Sequence, residues 1–309
     1  MSHVSAGARP AEKASTGSRE GRLRHWLTAY GFLLPALLLF VFFEFFSLLY
    51  NVYMGFHDWS GFGDPRYVGL DNYKYLANDE LFWEALQHNV IFMIVALGVM
   101  AVLSLFIALL LDSGMPGAGI FRGLMFLPVI VPTVVVGLAW TRVYSTQGGL
   151  LNQSLGALGL DSWQNNWLGN PDLALPAVLV VWVWRHLGYG VVMFSAGLLS
   201  IPDDLKEAAA LDGASQRQTV IHIIVPLMRP VIFIVALWFT IYAFKVFTLV
   251  FIMTGGGPYG ATEVLNTYLY ENVFRYFDLG LGSAIANIGI LILIVFAAIR
   301  GLFKPGVEY

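Results

Sequence analysis

Polar residues in this chain come in clusters, and the apolar runs between the clusters are too long for the core of a soluble fold. The run at about 90–111, VIFMIVALGVMAVLSLFIALLL, contains no charged residue. Roughly 20 apolar residues carry a helix across the ~30 Å hydrocarbon layer of a bilayer. By that measure the pattern predicts six spans, at about 27–50, 90–111, 120–144, 173–199, 228–253 and 280–300. The expected fold is all-α, a polytopic membrane protein with six transmembrane helices. Pro35, Pro128, Pro132, Pro176 and Pro230 lie in or at the ends of these spans. A membrane helix tolerates such kinks where neighbours satisfy the freed carbonyls. No internal repeat is evident, which weakens the case for a secondary carrier built from inverted halves.

The polar segments supply the orientation. Residues 1–25 are rich in Ser, Ala and Gly, carry Arg9, Lys13, Arg19, Arg22 and Arg24, and show no apolar period. That composition predicts a disordered tail. The apolar run after it is too long for the core of a signal peptide. A transmembrane domain then occupies 26–303, with a short tail at 304–309. Arg122, Lys206, Arg217, Arg229, Arg300 and Lys304 fall on the same side as the first tail. Arg66, Lys74 and Arg275 fall on the other, with Arg142 near the boundary. The excess of basic residues places both termini and the loop at about 200–222 in the cytoplasm. The acidic loop 51–87 then lies outside.

Composition agrees, with 58% hydrophobic and only 12% charged residues against about 25% charged in soluble domains. A net charge of −3 with no basic block leaves no surface for nucleic acid. The absence of cysteine removes disulfide and thiolate chemistry. No HExxH or GxSxG motif occurs, so hydrolase and metalloprotease readings have no site. The segment GGGPYGAT at Gly255 has a phosphate-loop spacing, but Ala261 stands where the lysine would be. A glycine-rich turn on the outer side is the better reading.

The loop SIPDDLKEAAALDGASQRQTVIHIIVP carries the most local information. Pro202, Asp203 and Asp204 start a helix with negative charge at its positive end. Gly213 can take the left-handed conformation that closes it, and Ser215 with Gln218 has capping-box spacing for a second helix. The residues alone admit two roles, a capped connector or a handle for another protein. A simple reversal needs only a few residues, and the alanines offer a flat face suited to a groove.

EAAALDGA, followed by IIVPLMRP, resembles the EAA loop of permease subunits of binding-protein-dependent ABC importers. GIFRGLMFLPVIVPTVVVGLAW, GGLLNQSLGALGL, VWVWRHLGYGVVMFSAGLLSIP and TGGGPYGATEVLNTYLYENVF are similar, in this order, to segments of the carbohydrate subfamily. The resemblance implies the type I importer permease fold and a non-catalytic subunit forming half of a sugar pathway in a bacterial or archaeal cell membrane. It implies a second, related permease, a dimer of ATPase subunits that binds ATP and Mg, and an extracytoplasmic solute-binding protein. No cofactor belongs to this chain. Carried onto it, Glu207 is the charged contact to the ATPase, Ala208 and Ala209 the close-packed face, and Asp212 with Gly213 the turn.

Ionisable groups within spans cost about 2.5–3.5 kcal/mol each and default to function. Arg185 and His186, with Trp182 and Tyr189, mark the fourth span. Lys245, with Tyr242 and Trp238 on the same side, marks the fifth. The resemblance places the substrate pathway on these two helices. Aromatic faces suit sugar rings, and Arg, His and Tyr can bond hydroxyls. The competing reading is structural, with Arg185 paired to a carboxylate of a partner subunit. The basic excess in these spans leaves room for an anionic solute such as a phosphorylated polyol. The remaining alternatives are an importer of the same type for a non-sugar solute, and a secondary carrier.

Overall fold

The computed structural model describes residues 19–302, with side chains for 26–299. The described residues fall into two units, one ending at Asn51 and the other starting at Val52. In the first, α1 (Arg19–Phe40) continues through a π-helical turn (Val41–Phe45) into α2 (Phe46–Met54). Residues 19–25, expected as part of a disordered tail, already belong to α1, because arginine, glutamate and leucine are good helix formers. The rest of that tail, and the tail at 304–309, lie outside the described residues. Phe32 is 83% exposed and the side chains around it are exposed too, as on a helix bathed in hydrocarbon.

In the second unit, a short antiparallel pair, β1 (His57–Asp58) and β2 (Arg66–Tyr67), precedes α3 (Asp71–Asn78). The Asp79 carboxylate caps α4 (Glu80–Val95) by accepting from the Leu81 N–H. A π-helical turn (Ala96–Met100) joins α4 to α5 (Ala101–Asp112), and the whole is a 33-residue span. Next come α6 (Ala118–Ile130), α7 (Thr133–Val143), the short α8 (Leu150–Ala157) and the long α9 (Pro171–Leu198). The polar loop forms α10 (Asp203–Leu211) and α11 (Gln216–Thr219), then α12 (Val225–Leu227) leads into α13 (Arg229–Phe244). The chain ends with α14 (Thr248–Met253), α15 (Leu265–Tyr270) and α16 (Leu279–Leu302).

Two of the six expected spans are not continuous helices. The segment expected at 120–144 is broken between α6 and α7, which meet at 93°. Val131 is extended there (φ −67°, ψ 132°), the conformation that a following proline imposes. The segment expected at 228–253 splits as well. The helices at 216–227 and 229–244 meet at 68° beside Met228, and α13 stops at Phe244, leaving α14 separate. Four single helices are therefore long enough to cross a membrane, and six spans result if each bent pair crosses once.

The core sits where α4, α9 and α13 meet, around the fully buried Phe92, Trp182, Phe194 and Phe239. Glycines allow the helices to close in. A Cβ on Gly190 would lie 2.7 Å from Ser104 Cβ and 2.8 Å from Phe239 Cζ, the small-residue contact on which membrane helices rely. Asparagines hold the carbonyl end of α13. The buried Asn89 donates to the Ala243 carbonyl (2.9 Å) and accepts from the Leu265 N–H (2.8 Å). Asn266 donates to the carbonyls of Phe244 (2.9 Å) and Val246 (3.2 Å).

Replacing Asn89 with Leu keeps the branched outline but removes both bonds in a dry site. The expected loss is about 2–5 kcal/mol for two orphaned backbone groups, read as a lower midpoint of thermal unfolding in detergent. An unchanged midpoint would show that these backbone groups find other partners.

Candidate functional site

The polar loop folds as its residues require. Pro202 stands before α10 with Asp203 and Asp204 in the first turn. Gly213 takes φ +78° just past its end, and the Ala214 N–H closes the turn on the Ala209 carbonyl at 3.0 Å. The capping box is formed. The Ser215 N–H donates to Gln218 Oε1 at 2.8 Å, and Ser215 Oγ accepts from the Gln218 N–H at 3.4 Å. Lys206 anchors α10 to the rest of the unit, pairing with Asp112 at the end of α5 (3.1 Å) and with Asp203 (3.3 Å).

These contacts decide which residues face out. Glu207, Ala208, Asp212 and Gly213 are exposed. Ala209, expected on the docking face beside Ala208, is only 6% exposed and turns inward, because the face bearing Lys206 is held against α5. The outward face instead ends in Leu211, 89% exposed. Leu211 follows Glu207 by four residues and Ala208 by three, and so shares their side of the helix.

The residues expected to line a pathway divide into two groups. His186, Tyr189, Trp238 and Tyr242 come together as one cluster between α9 and α13. The His186 ring lies 5.6 Å from Tyr242 and 6.3 Å from Tyr189, and Trp238 lies 4.9 Å from Tyr242 and 6.3 Å from Tyr189. His186 Nδ1 donates to the Trp182 carbonyl at 2.8 Å, which leaves Nε2 of the neutral ring as an acceptor. Stacked aromatic faces beside a hydrogen-bond acceptor can hold a hydroxylated ring.

The other three residues stand apart. Trp182 is 1% exposed and packs edge-on against Phe92 at 5.3 Å. It backs the cluster from the core and lines no open face. Lys245 is the exposed residue on which α13 ends. Arg185 is half-buried and already bonded, with Nη1 donating to the carbonyls of Pro128 (2.6 Å), Val131 (2.7 Å) and Val129 (3.3 Å). No ion pair of Arg185 occurs among the described residues. Sequence reasoning missed its role; the available signal was the pair Pro128 and Pro132, which frees carbonyls that need a donor.

The glycine-rich turn after α14 is a tight fold. Gly255, Gly256 and Gly260 take φ of +61°, +89° and +80°. Glu263, 4% exposed, has its carboxyl pressed against Gly256, where any Cβ would collide with it. His88 Nδ1 donates to the Glu263 carbonyl at 2.7 Å, tying the turn to α4.

Straight and broken apolar helices, with a capped helix–turn–helix between the fourth and fifth spans, define a polytopic transport permease. The chain belongs to the family described as binding-protein-dependent transport system inner membrane component, whose model matches residues 100–309. It is 35% identical over 283 residues to "Probable ABC transporter permease protein YurN" of Bacillus subtilis, covering 90% of this chain and 97% of that one. It is 32% identical over 271 residues to "Trehalose/maltose transport system permease protein MalF" of Thermococcus litoralis, covering 87% and 91%. Its fold matches a chain in the crystal structure of a bacterial alginate ABC transporter in complex with its alginate pentasaccharide-bound periplasmic protein. That match has a TM-score of 0.81 at 20% identity and covers 94% of this chain and 100% of the other. The expected ABC permease fold is therefore the observed one, the chain is an integral membrane protein, and the secondary-carrier alternative falls away.

Glu263 gives the glycine-rich turn a pH dependence. Burial pushes its pKa up to about 7; the Glu271 charge adds to the rise, while a Thr267 hydrogen bond and Arg275 oppose it. The folded state thus holds a proton that the unfolded chain releases near the ordinary carboxylate range, so this contribution to stability is full at acid pH and falls as pH rises through about 7. Glu263→Gln is expected to remove this component. Unfolding midpoints of the variant and parent should converge at pH 5 and separate at pH 8, with the variant higher. Parallel curves would contradict the assignment.

Proposed function

We propose that this chain is the membrane subunit forming half of the translocation pathway in an ATP-driven sugar importer. A second, related permease supplies the other half, and a solute-binding protein outside the membrane delivers the sugar. ATP and Mg bind to a dimer of separate ATPase subunits, and this chain catalyses no chemistry itself. Its termini and α10 face the cytoplasm of a bacterial or archaeal cell, as the distribution of Lys and Arg favours.

One observation carries the reading. A short helix, closed at its carbonyl end by the Gly213 turn and anchored at its back by Lys206 and Asp112, presents Glu207, Ala208 and Leu211 outward. Such a helix can pass force in either direction because it is fixed to the spans that must move. Docked in a cleft of the ATPase, it would transmit closure of the nucleotide-bound dimer to α5 through the ion pair and to α13 through α11. Glu207 supplies the charged contact, Ala208 the close approach, Leu211 an apolar anchor, and Asp212 with Gly213 the turn.

The sugar class draws on the relative named for trehalose and maltose and on the ring cluster of His186, Tyr189, Trp238 and Tyr242. Aromatic faces match the apolar faces of pyranose rings, and the free His186 nitrogen can accept from a hydroxyl.

The coupling assignment is tested by Glu207→Lys and Leu211→Asp in the reconstituted transporter. Both variants are expected to insert and assemble while uptake falls about tenfold or more, the scale for losing a central interface contact. ATP hydrolysis should no longer respond to the loaded binding protein. Uptake at the parental rate by both variants would remove α10 from the ATPase interface.

A further inference from the structure

Arg185 spends its Nη1 donors on backbone carbonyls, its buried Nε has no partner, and it pairs with no carboxylate among the described residues. We propose that Arg185 is a positioning residue of the transport cycle, a clamp that holds the carbonyl end of α6 on α9 and sets the bend at Val131–Pro132. Arg185 itself stands beside the ring cluster, adjacent to His186 and one turn from Tyr189, so its charge remains there while Nη1 serves the backbone. The clamp does not rest on the function proposed above.

Several observations converge on the clamp. The Arg185 Nη1 group reaches carbonyls in the last turn of α6 and in the break itself, Pro128 at 2.6 Å and Val131 at 2.7 Å. A cation at the carbonyl end of a helix also meets the negative end of its dipole. The next turn of α9 presses directly on the α6 backbone, because a Cβ on Gly188 would lie 3.0 Å from the Met125 carbonyl carbon and from Phe126 Cα. Tyr189 then sets its ring edge-on against Phe126 at 5.7 Å. Arg185, Gly188 and Tyr189 follow one another at helical spacing, so one face of α9 grips α6 along its carbonyl half.

Beyond the break the neighbours change. On α7, a Cβ on Gly137 would sit 2.8 Å from Ile252 Cγ2 of α14. Trp140 packs on Trp184 of α9 at 5.5 Å. The two halves of the broken span thus share α9 but differ in their other neighbour, and the Arg185 guanidinium bonds the carbonyls at the bend between them. Tyr189 belongs both to the grip on α6 and to the ring cluster. Releasing the clamp would therefore loosen α6 from α9 without removing any group that touches the solute.

The chain contains no cysteine, so spin labels can be placed without background. Leu124→Cys on α6 and Leu138→Cys on α7 are exposed positions on either side of the bend. In the full transporter, reconstituted with its partner subunits, the clamp predicts one narrow distance distribution between them. Arg185→Met should broaden or shift it, and Arg185→Lys, which keeps the donors, should restore it. If Arg185→Met fails to assemble, Arg185→Gln takes its place, with broadening again expected because the shorter amide reaches fewer carbonyls.

Uptake separates positioning from solute binding. For Arg185→Met, Vmax should fall about tenfold while KM moves less than twofold, and competition by neutral and acidic sugars should keep the parental order. Identical distance distributions in the parent and the Met variant would overturn the clamp. So would a raised KM at unchanged Vmax, or a changed preference between neutral and acidic sugars, since either makes Arg185 a solute ligand. Failure of the parent transporter to carry any sugar would sink the functional reading, and the spin-label distances would still decide the clamp.

Discussion

A backbone carbonyl that loses its helical partner inside hydrocarbon has no water to turn to, and each one left bare costs several kcal/mol. This chain breaks helices in the middle of apolar segments, once between α6 and α7 and once where α13 gives way to α14. Each break is matched by a donor from elsewhere in the unit. Arg185 serves the carbonyls of Pro128, Val129 and Val131. Asn89 and Asn266 serve those of Ala243, Phe244 and Val246. Arg185, Asn89 and Asn266 are thus the repair of the backbone at these breaks.

This constraint also orders the functional parts. Two broken spans flanked by straight ones give the bundle places to bend and places to stay rigid. The long α9 carries Arg185 and His186 side by side and Tyr189 one turn on. It ends at Leu198, four residues before Pro202, which stands before α10. The ring cluster and the outward face of α10 are thus joined by one uninterrupted helix and a short turn. In the proposed coupling, a push on α10 would reach the cluster along this helix, and α5 through the Lys206–Asp112 pair.

The architecture was largely legible in the sequence, and its failures have physical causes. Apolar runs of about 20 residues marked every segment, and Ser215 with Gln218 marked a cap that formed as read. Hydropathy counts apolar residues without regard to direction, so 120–144 reads as one span kinked at its prolines, and the 93° break is beyond its reach. The helical period put Tyr189 one turn from His186, and Tyr242 and Trp238 on one side of the fifth span; the structure brings the four rings together. The period could not show that Trp182, one turn from His186, is covered by Phe92 of α4. The same limit applies to Ala208 and Ala209, adjacent and chemically identical. Only the anchoring of Lys206 decides that the first faces out and the second in.

Arg185 illustrates the general case. A lone cation in a span is costly enough to demand a partner, and sequence reasoning looked for that partner in a solute or a neighbouring subunit. The partner is the chain's own backbone, and its position depends on a bend that no periodicity encodes. The most direct measurement is a cryo-electron microscopy structure of the assembled transporter, without nucleotide and with nucleotide bound. The account predicts the Arg185 guanidinium within about 3 Å of the Pro128 and Val131 carbonyls in both states, with the third span bent in both. A guanidinium turned onto the solute, or α6 and α7 merged into one straight helix, would contradict it.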